Sequence, residues 1–190
     1  MVIDGRYFFM SGMRNTPQED YRYLRIPADA ERSLEGFMVF KNLIRDRKKV
    51  TKATVEIARN SSEIKEVSRN LANNFQAIFD NFVSGGYNNI ALNIDENVPD
   101  GKQEQVAGTY LKIIHLIADR LIVDFQNNNS TSSLFNFDDV SVFTQDALNG
   151  YSDSFFYGSN FWIELKDFEH IQASGLQLTK SPGQFWVYLG

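Results

Sequence analysis

The spacing of apolar residues changes period twice along this chain, and that switch constrains the fold more than any other feature of the sequence. Short runs up to Ile26 alternate apolar and polar residues, the stretch from Leu34 to Leu148 repeats at three and four, and from Phe155 alternation returns. A period of two lays one face of a strand against a core, and a period of three to four does the same for a helix. Strands, then helices, then strands predict an α+β fold, with a helical middle layer flanked by short N- and C-terminal antiparallel strands that form a small sheet. The boundaries read as strands over about 2–26, helices over about 33–149, strands over about 155–180, and a final segment at 184–190. An open edge of that sheet is expected to be satisfied by the chain's own hairpin or by another copy.

Local signals set the elements. Asp4-Gly5 between Val2-Ile3 and Arg6-Tyr7-Phe8-Phe9-Met10 is a hairpin signature. Tyr21 to Ile26 alternates up to Pro27, and Pro27 to Asp29 ends the strand region and supplies a helix start. Leu34, Phe37, Phe40, Leu43 and Ile44 mark an amphipathic helix from Ser33 to about Arg45, whose end carries the basic run Arg45-Asp46-Arg47-Lys48-Lys49. That run reads as a solvated helix end, with haem propionates or anionic lipid headgroups as the functional alternative. A second helix is capped by Ser61 or Ser62, carries Ile64, Val67, Leu71, Phe75, Ile78 and Phe82, and stops at Gly85-Gly86. Asn89 to Val98 is a short helix ended by Pro99-Asp100-Gly101. From Lys102 to Gln126 the polar positions form one narrow stripe, which predicts a largely buried helix at the centre of the layer. After a polar loop at 127–133, a helix of about Phe137 to Leu148 precedes a strand in which Phe161, Ile163 and Leu165 alternate with Trp162, Glu164 and Lys166.

The last residues, QASGLQLTKSPGQFWVYLG, contain a strand-like half, a Pro182-Gly183 turn and an aromatic apolar run. Trp and Tyr beside an apolar run after Lys180 are what a chain shows where it enters a bilayer; a buried terminal strand is the alternative. GRYFFMSGMR followed by YRYLRIPADAERSLEGFM, with GLQLTKSPG and VYLG at the other end, resembles the C-terminal part of the extracytoplasmic domain of the ResB/CcsB family, membrane proteins of system II cytochrome c biogenesis. The matching residues are Gly12, Met13, Arg14, Arg22, Tyr23, Leu24, Arg25, Ile26, Pro27, Ala28 and Asp29, then Gly175, Leu176, Gln177, Pro182 and Gly183. The resemblance covers both ends; Val50 to Gly150 fits it only by pattern.

The resemblance implies a single extracytoplasmic segment of a larger membrane protein at the bacterial inner membrane, with 184–190 starting a membrane span. It implies a CcsA/ResC-like partner, transient contact with apocytochrome c, and haem handled by the parent complex, with no cofactor bound by this segment. That complex resembles a cytochrome c synthase, and this segment reads as its scaffold or interaction module. A periplasmic adaptor or small-ligand-binding domain without haem is the alternative.

The residues themselves offer little chemistry. A net charge of −5 argues against a partner held by phosphate neutralisation, so no nucleic acid is expected. With no cysteine, disulfides, thiol catalysis and Cys-based metal sites are out. The two histidines are the haem-ligand candidates: His115, read as a packed residue on the apolar stripe of the buried helix, and His170, in FEHIQAS near a strand start. Asp95-Glu96 and Asp138-Asp139 are neighbours that diverge, so they read as caps and solvated faces rather than acid–base pairs. Gly85-Gly86 lacks the context of a phosphate loop.

Overall fold

The computed structural model describes residues 1–62, 64–129 and 133–157. Strand β1 (Val2–Ile3) turns into β2 (Arg6–Met13) at Asp4 and Gly5, with φ of 49° and 77°. Two successive positive values are what a mirror-image hairpin turn demands, because its twist matches that of the strands. β3 (Arg22–Pro27) pairs with β2, giving a three-stranded antiparallel sheet in the order β1-β2-β3. Five helices follow: α1 (Glu35–Arg45), α2 (Arg47–Ser61), α3 (Lys65–Asn97), α4 (Gln103–Asn128) and α5 (Val140–Tyr157). The α+β architecture is the one the period switch predicts. The core lies where the helices meet, around the fully buried Phe40, Phe79, Phe82, Ile114, Ile117, Ile122 and Tyr151.

The start of α1 is fixed from a distance. Its N-cap residue, Leu34, has no capping side chain. Instead the buried carboxylate of Asp29 accepts from the backbone N–H groups of Glu31 (3.0 Å), Ser33 (2.7 Å) and Gly36 (2.9 Å) and from the Ser33 hydroxyl (2.6 Å). Four donors on one carboxylate compensate its desolvation, and the bond from Gly36 satisfies a first-turn N–H of α1 that would otherwise be orphaned. Gly36 permits the approach, since a β-carbon there would lie 2.5 Å from Cβ of Asp29.

Helix α5 organises the interior. Its Gly150 lies against the Arg25 carbonyl, which a β-carbon would approach to 2.5 Å, so the helix covers the outer edge of β3. Two residues on, Ser152 fills the break in α3, where Gly85 and Gly86 leave helical geometry and Gly86 takes φ +67°. The Ser152 hydroxyl accepts from the Tyr87 N–H at 3.0 Å, restarting the helix after the break. Between them, Tyr151 packs on Phe82 and donates to the Val83 carbonyl at 2.7 Å. The outer edge of β3 is therefore covered by a helix, while the hairpin strand β1 pairs along the other side of β2.

Other expectations need correction. The basic run does not end a helix in solvent: Asp46 caps a separate helix, α2, by accepting from Lys48 N–H (3.1 Å) and Lys49 N–H (3.3 Å). Ser61 closes α2 instead of capping α3. The buried positions of α3 begin at Ser68 and Ala72, leaving Ile64 and Val67 exposed, because the core contacts lie one position round from the apolar stripe. Helix α4 does sit at the centre of the helical layer, packing against α1, α2, α3 and α5, but it is only half-buried: Ile114, Ile117, Ala118, Leu121 and Ile122 are buried, while Leu111, Leu116 and Val123 face outward. Helix α5 continues through Phe155 to Tyr157, past the expected strand start. The rest of the expected C-terminal strand region, the 184–190 segment, His170, Gly175, Leu176, Gln177, Pro182 and Gly183 lie outside the described residues.

Candidate functional site

The two motif blocks that stand apart in sequence are one surface in space. Cross-strand register places Gly12 opposite Tyr23, Met13 opposite Arg22, Ser11 opposite Leu24 and Met10 opposite Arg25. Gly12 supplies a floor: its missing side chain leaves room for the Tyr23 ring, 3.1 Å from where a β-carbon would sit, and for Tyr21 at 3.3 Å. Tyr21 and Tyr23 stack with centroids 6.0 Å apart, and the Arg14 guanidinium lies 4.7 Å over Tyr21. Gly12, Arg14, Tyr21, Tyr23 and Met10 thus make an exposed cationic-aromatic ledge. On the other face Leu24 and Ile26 are buried and Met13 packs against the core. Arg22 reaches the Phe156 carbonyl at the end of α5 at 3.5 Å, and its second guanidinium nitrogen is buried without a partner among the described residues.

Two acids of α5 bind the sheet. Asp146 pairs with Arg6 at 2.5 Å and Asp153 with Arg25 at 3.8 Å, seven residues apart and so on one helix face. Burial pushes both carboxyls above the ordinary value near 3.8; the facing arginines pull the other way without overcoming it. Beside the Arg6–Asp146 pair, a cleft of about 450 Å³ opens between the hairpin and the start of α5. Arg32, at φ 60°, stacks 4.2 Å over Tyr7 on one wall, and the stacked Phe137–Phe143 pair and Asp138 form the other. The volume is that of a small-ligand pocket.

His115 is not the packed core residue that its stripe suggests. It is half-exposed on α4, with Nε2 2.6 Å from the Ser141 hydroxyl and 3.1 Å from Asp119, and Nδ1 3.2 Å from Gln145. A nucleophilic triad needs serine and carboxylate on opposite ring nitrogens; here both crowd one nitrogen, so the set is a polar clasp between α4 and α5. Tyr87 closes it from α3, its hydroxyl pKa raised by burial against the opposing pull of Gln145. No group of three or more potential metal ligands occurs among the described residues.

Sequence reasoning missed three parts of this region. Asp29 has a four-donor role, although its place after Ile-Pro-Ala marked a helix start. The Arg6–Asp146 pair joins residues 140 apart, which no local signal reveals. A second groove, of about 530 Å³, forms where Leu71, Phe75 and Ile78 of α3 meet Tyr110 and Ile113 of α4; the apolar stripe was legible, its incomplete burial was not.

No helix among the described residues is long and apolar enough to cross a membrane. No curated protein matches the chain, and no solved structure does. A family model described as the ResB-like family matches residues 1–190, from the ledge through every helix to the last residue. The chain therefore belongs to the ResB-like family, whose members are membrane-associated and take part in cytochrome c biogenesis.

Proposed function

We propose that this chain is the extracytoplasmic portion of a ResB/CcsB-like protein of system II cytochrome c maturation, acting beside a CcsA/ResC-like membrane protein in haem delivery and attachment to apocytochrome c. Its own part is that of scaffold and interaction module at the outer face of the bacterial inner membrane. The observation that carries this reading is the family match over residues 1–190, which includes the GMR and RYLRIPAD blocks on paired strands, one face exposed at Gly12, Arg14 and Tyr23 and the other buried at Leu24 and Ile26. Two features support the assignment of a non-catalytic part. Ser141 and Asp119 crowd the same nitrogen of His115, which is not the arrangement of a nucleophilic triad, and the acids of α5 face arginines rather than each other across a cleft. Large apolar side chains stand exposed on the ledge and on α3 and α4 (Met10, Tyr23, Ile64, Leu116), as expected of surfaces that meet other proteins.

The experiment is complementation. In a bacterium whose ResB-like protein is deleted for the segment equivalent to this chain, covalent haem on c-type cytochromes, read by peroxidase staining, should disappear and return when this segment is restored in place. Normal cytochrome c in the deletion strain would sink the reading. The cleft beside Arg32 favours a second reading, a small-ligand or adaptor domain without haem. Pull-down of a CxxCH-containing apocytochrome peptide separates the two, since only the first expects capture.

A further inference from the structure

One patch of positive charge stands out on a chain whose net charge is −5. Between the last turns of α2 and the first turns of α3 lies a groove of about 570 Å³, lined by Val55, Ser68 and Ala72 and by the cations Arg59, Lys65 and Arg69. No acid belongs to this lining. Glu56, the acid of α2, is engaged by Lys52 at 3.7 Å and Arg120 at 2.6 Å, and none of the groove's cations has an ion-pair partner among the described residues. Glu63, outside the described residues, would offset one of those charges at most. The groove is built by α2, its C-cap residue and α3 alone. Ser68 lies about five turns, or roughly 27 Å, along α3 from the Gly86 break where α5 packs.

Three features of this groove are unfavourable unless a negative group is present. Lys65 opens α3, where the helix dipole disfavours a cation, and the N-cap Ile64 offers no side chain to the first N–H groups. Lys65 and Arg69 are a turn apart on the same helix face, where like charges repel. Ser68 is only 7% exposed, yet its hydroxyl has no hydrogen-bond partner among the described residues. The hydroxyls of Ser61, Thr109 and Thr144, by contrast, turn back to carbonyls of their own helices. A solvated helix face accounts for exposed cations, but it leaves a buried hydroxyl without a bond unexplained.

We infer that this groove binds the phosphate group of a phosphate ester, with Arg59, Lys65 and Arg69 around its oxygens and the Ser68 hydroxyl donating to one of them. A tetrahedral phosphate presents oxygens in several directions and so meets cations from two helices, whereas a carboxylate presents a single edge. The volume exceeds that of a bare phosphate and leaves room for the esterified group. The ester is either a small soluble one or the headgroup of an anionic phospholipid. Ile64 (65% exposed) and Val67 (43%), beside the groove, separate the two sources, because only a bilayer would bury them. The inference goes beyond the function proposed above and does not depend on it.

The test uses the whole 190-residue chain. Glycerol 3-phosphate, titrated at constant ionic strength, should shift the amide resonances of Ser68 and Arg69 if the ester is soluble. Vesicles of phosphatidylglycerol, and not of phosphatidylcholine, should sediment the chain if the source is a lipid, and Ile64→Ser/Val67→Gln should then weaken vesicle binding alone. In either case Lys65→Gln/Arg69→Gln should weaken binding at least about tenfold, the loss expected from two charge-assisted contacts. That variant removes a like-charge pair, so its melting temperature should not fall. Ser68→Ala should weaken binding about threefold or more through the lost hydroxyl, and it decides the matter should the double variant misfold. Binding of neither ligand at millimolar concentration overturns the inference. So do shifts that an equal concentration of chloride reproduces, or binding that both variants leave unchanged.

Discussion

Gly86 sits where two requirements coincide. Its backbone, at φ +67° and ψ −156°, is in a region that side chains with a β-carbon rarely enter, and a β-carbon there would lie 2.6 Å from the Ser152 hydroxyl and 2.9 Å from the Ser152 Cα. The second contact is with backbone, so it cannot be relieved by a rotamer change. Gly86→Ala should destabilise the protein by about 3 kcal/mol through strain and overpacking. Gly108, within α4, has nothing within 4 Å of its β-carbon position and no unusual φ. Gly108→Ala should stabilise by about 0.5–1 kcal/mol, because alanine has less backbone freedom to lose on folding. Urea denaturation of the two variants measures both, and effects of equal sign would contradict the account. The sequence shows both glycines; only their neighbours distinguish them.

At the scale of elements, α5 is held to the sheet by charge as well as by packing. Asp146 and Asp153 face Arg6 and Arg25, yet both carboxyls titrate above the ordinary value because burial outweighs the pairing. Between that ordinary value, near 3.8, and the raised native one, the folded protein keeps protons that the unfolded chain has released. Stability contributed by these groups is therefore greatest at low pH and falls as pH rises through the window. The double variant Asp146→Asn/Asp153→Asn cannot titrate there. Its stability relative to the parent should rise with pH across the window and then level off, as measured by urea denaturation over a pH series. A difference that is flat with pH would refute the raised values. The basic first turn of α2 makes a related point. Arg47, Lys48 and Lys49 stand where a helix dipole disfavours cations, and the Asp46 cap offsets part of that cost. In sequence those cations look like a helix end, because a one-residue break at Asp46 leaves almost no trace in the apolar pattern.

Across the whole molecule, apolar surface is distributed unevenly. The interior between α3, α4 and α5 is closed, while Ile64 (65% exposed), Val67 (43%) and Leu116 (51%) face outward. Their burial contributes little to this chain's stability, so Ile64→Ser/Val67→Gln, which adds no cation at the start of α3, should change the melting temperature by no more than about 1–2 °C. The same pair should impair cytochrome c maturation in the complementation assay if that face meets a partner. A large fall in melting temperature would show instead that the face supports the fold.

The sequence by itself determined what depends on neighbours in the chain. The Asp4-Gly5 turn, the strand running into Pro27, a helix ending at Arg45, the break at Gly85-Gly86 and a long helix after Gly101 all follow from periodicity and turn residues, with the long helix read to Gln126 and running to Asn128. The family was legible too, in the GMR and RYLRIPAD strings. What only the tertiary structure decided depends on distance in space. It set which side of α3 and α4 is buried, because two apolar faces can compete for one core and the pattern cannot say which wins. It gave His115 a polar clasp in place of a packed pocket, since Ser141 and Gln145 arrive from another helix. It also paired Gly12 with Tyr23, making two separated strings one surface, because hydrogen-bond register is a property of two strands and is written in neither alone.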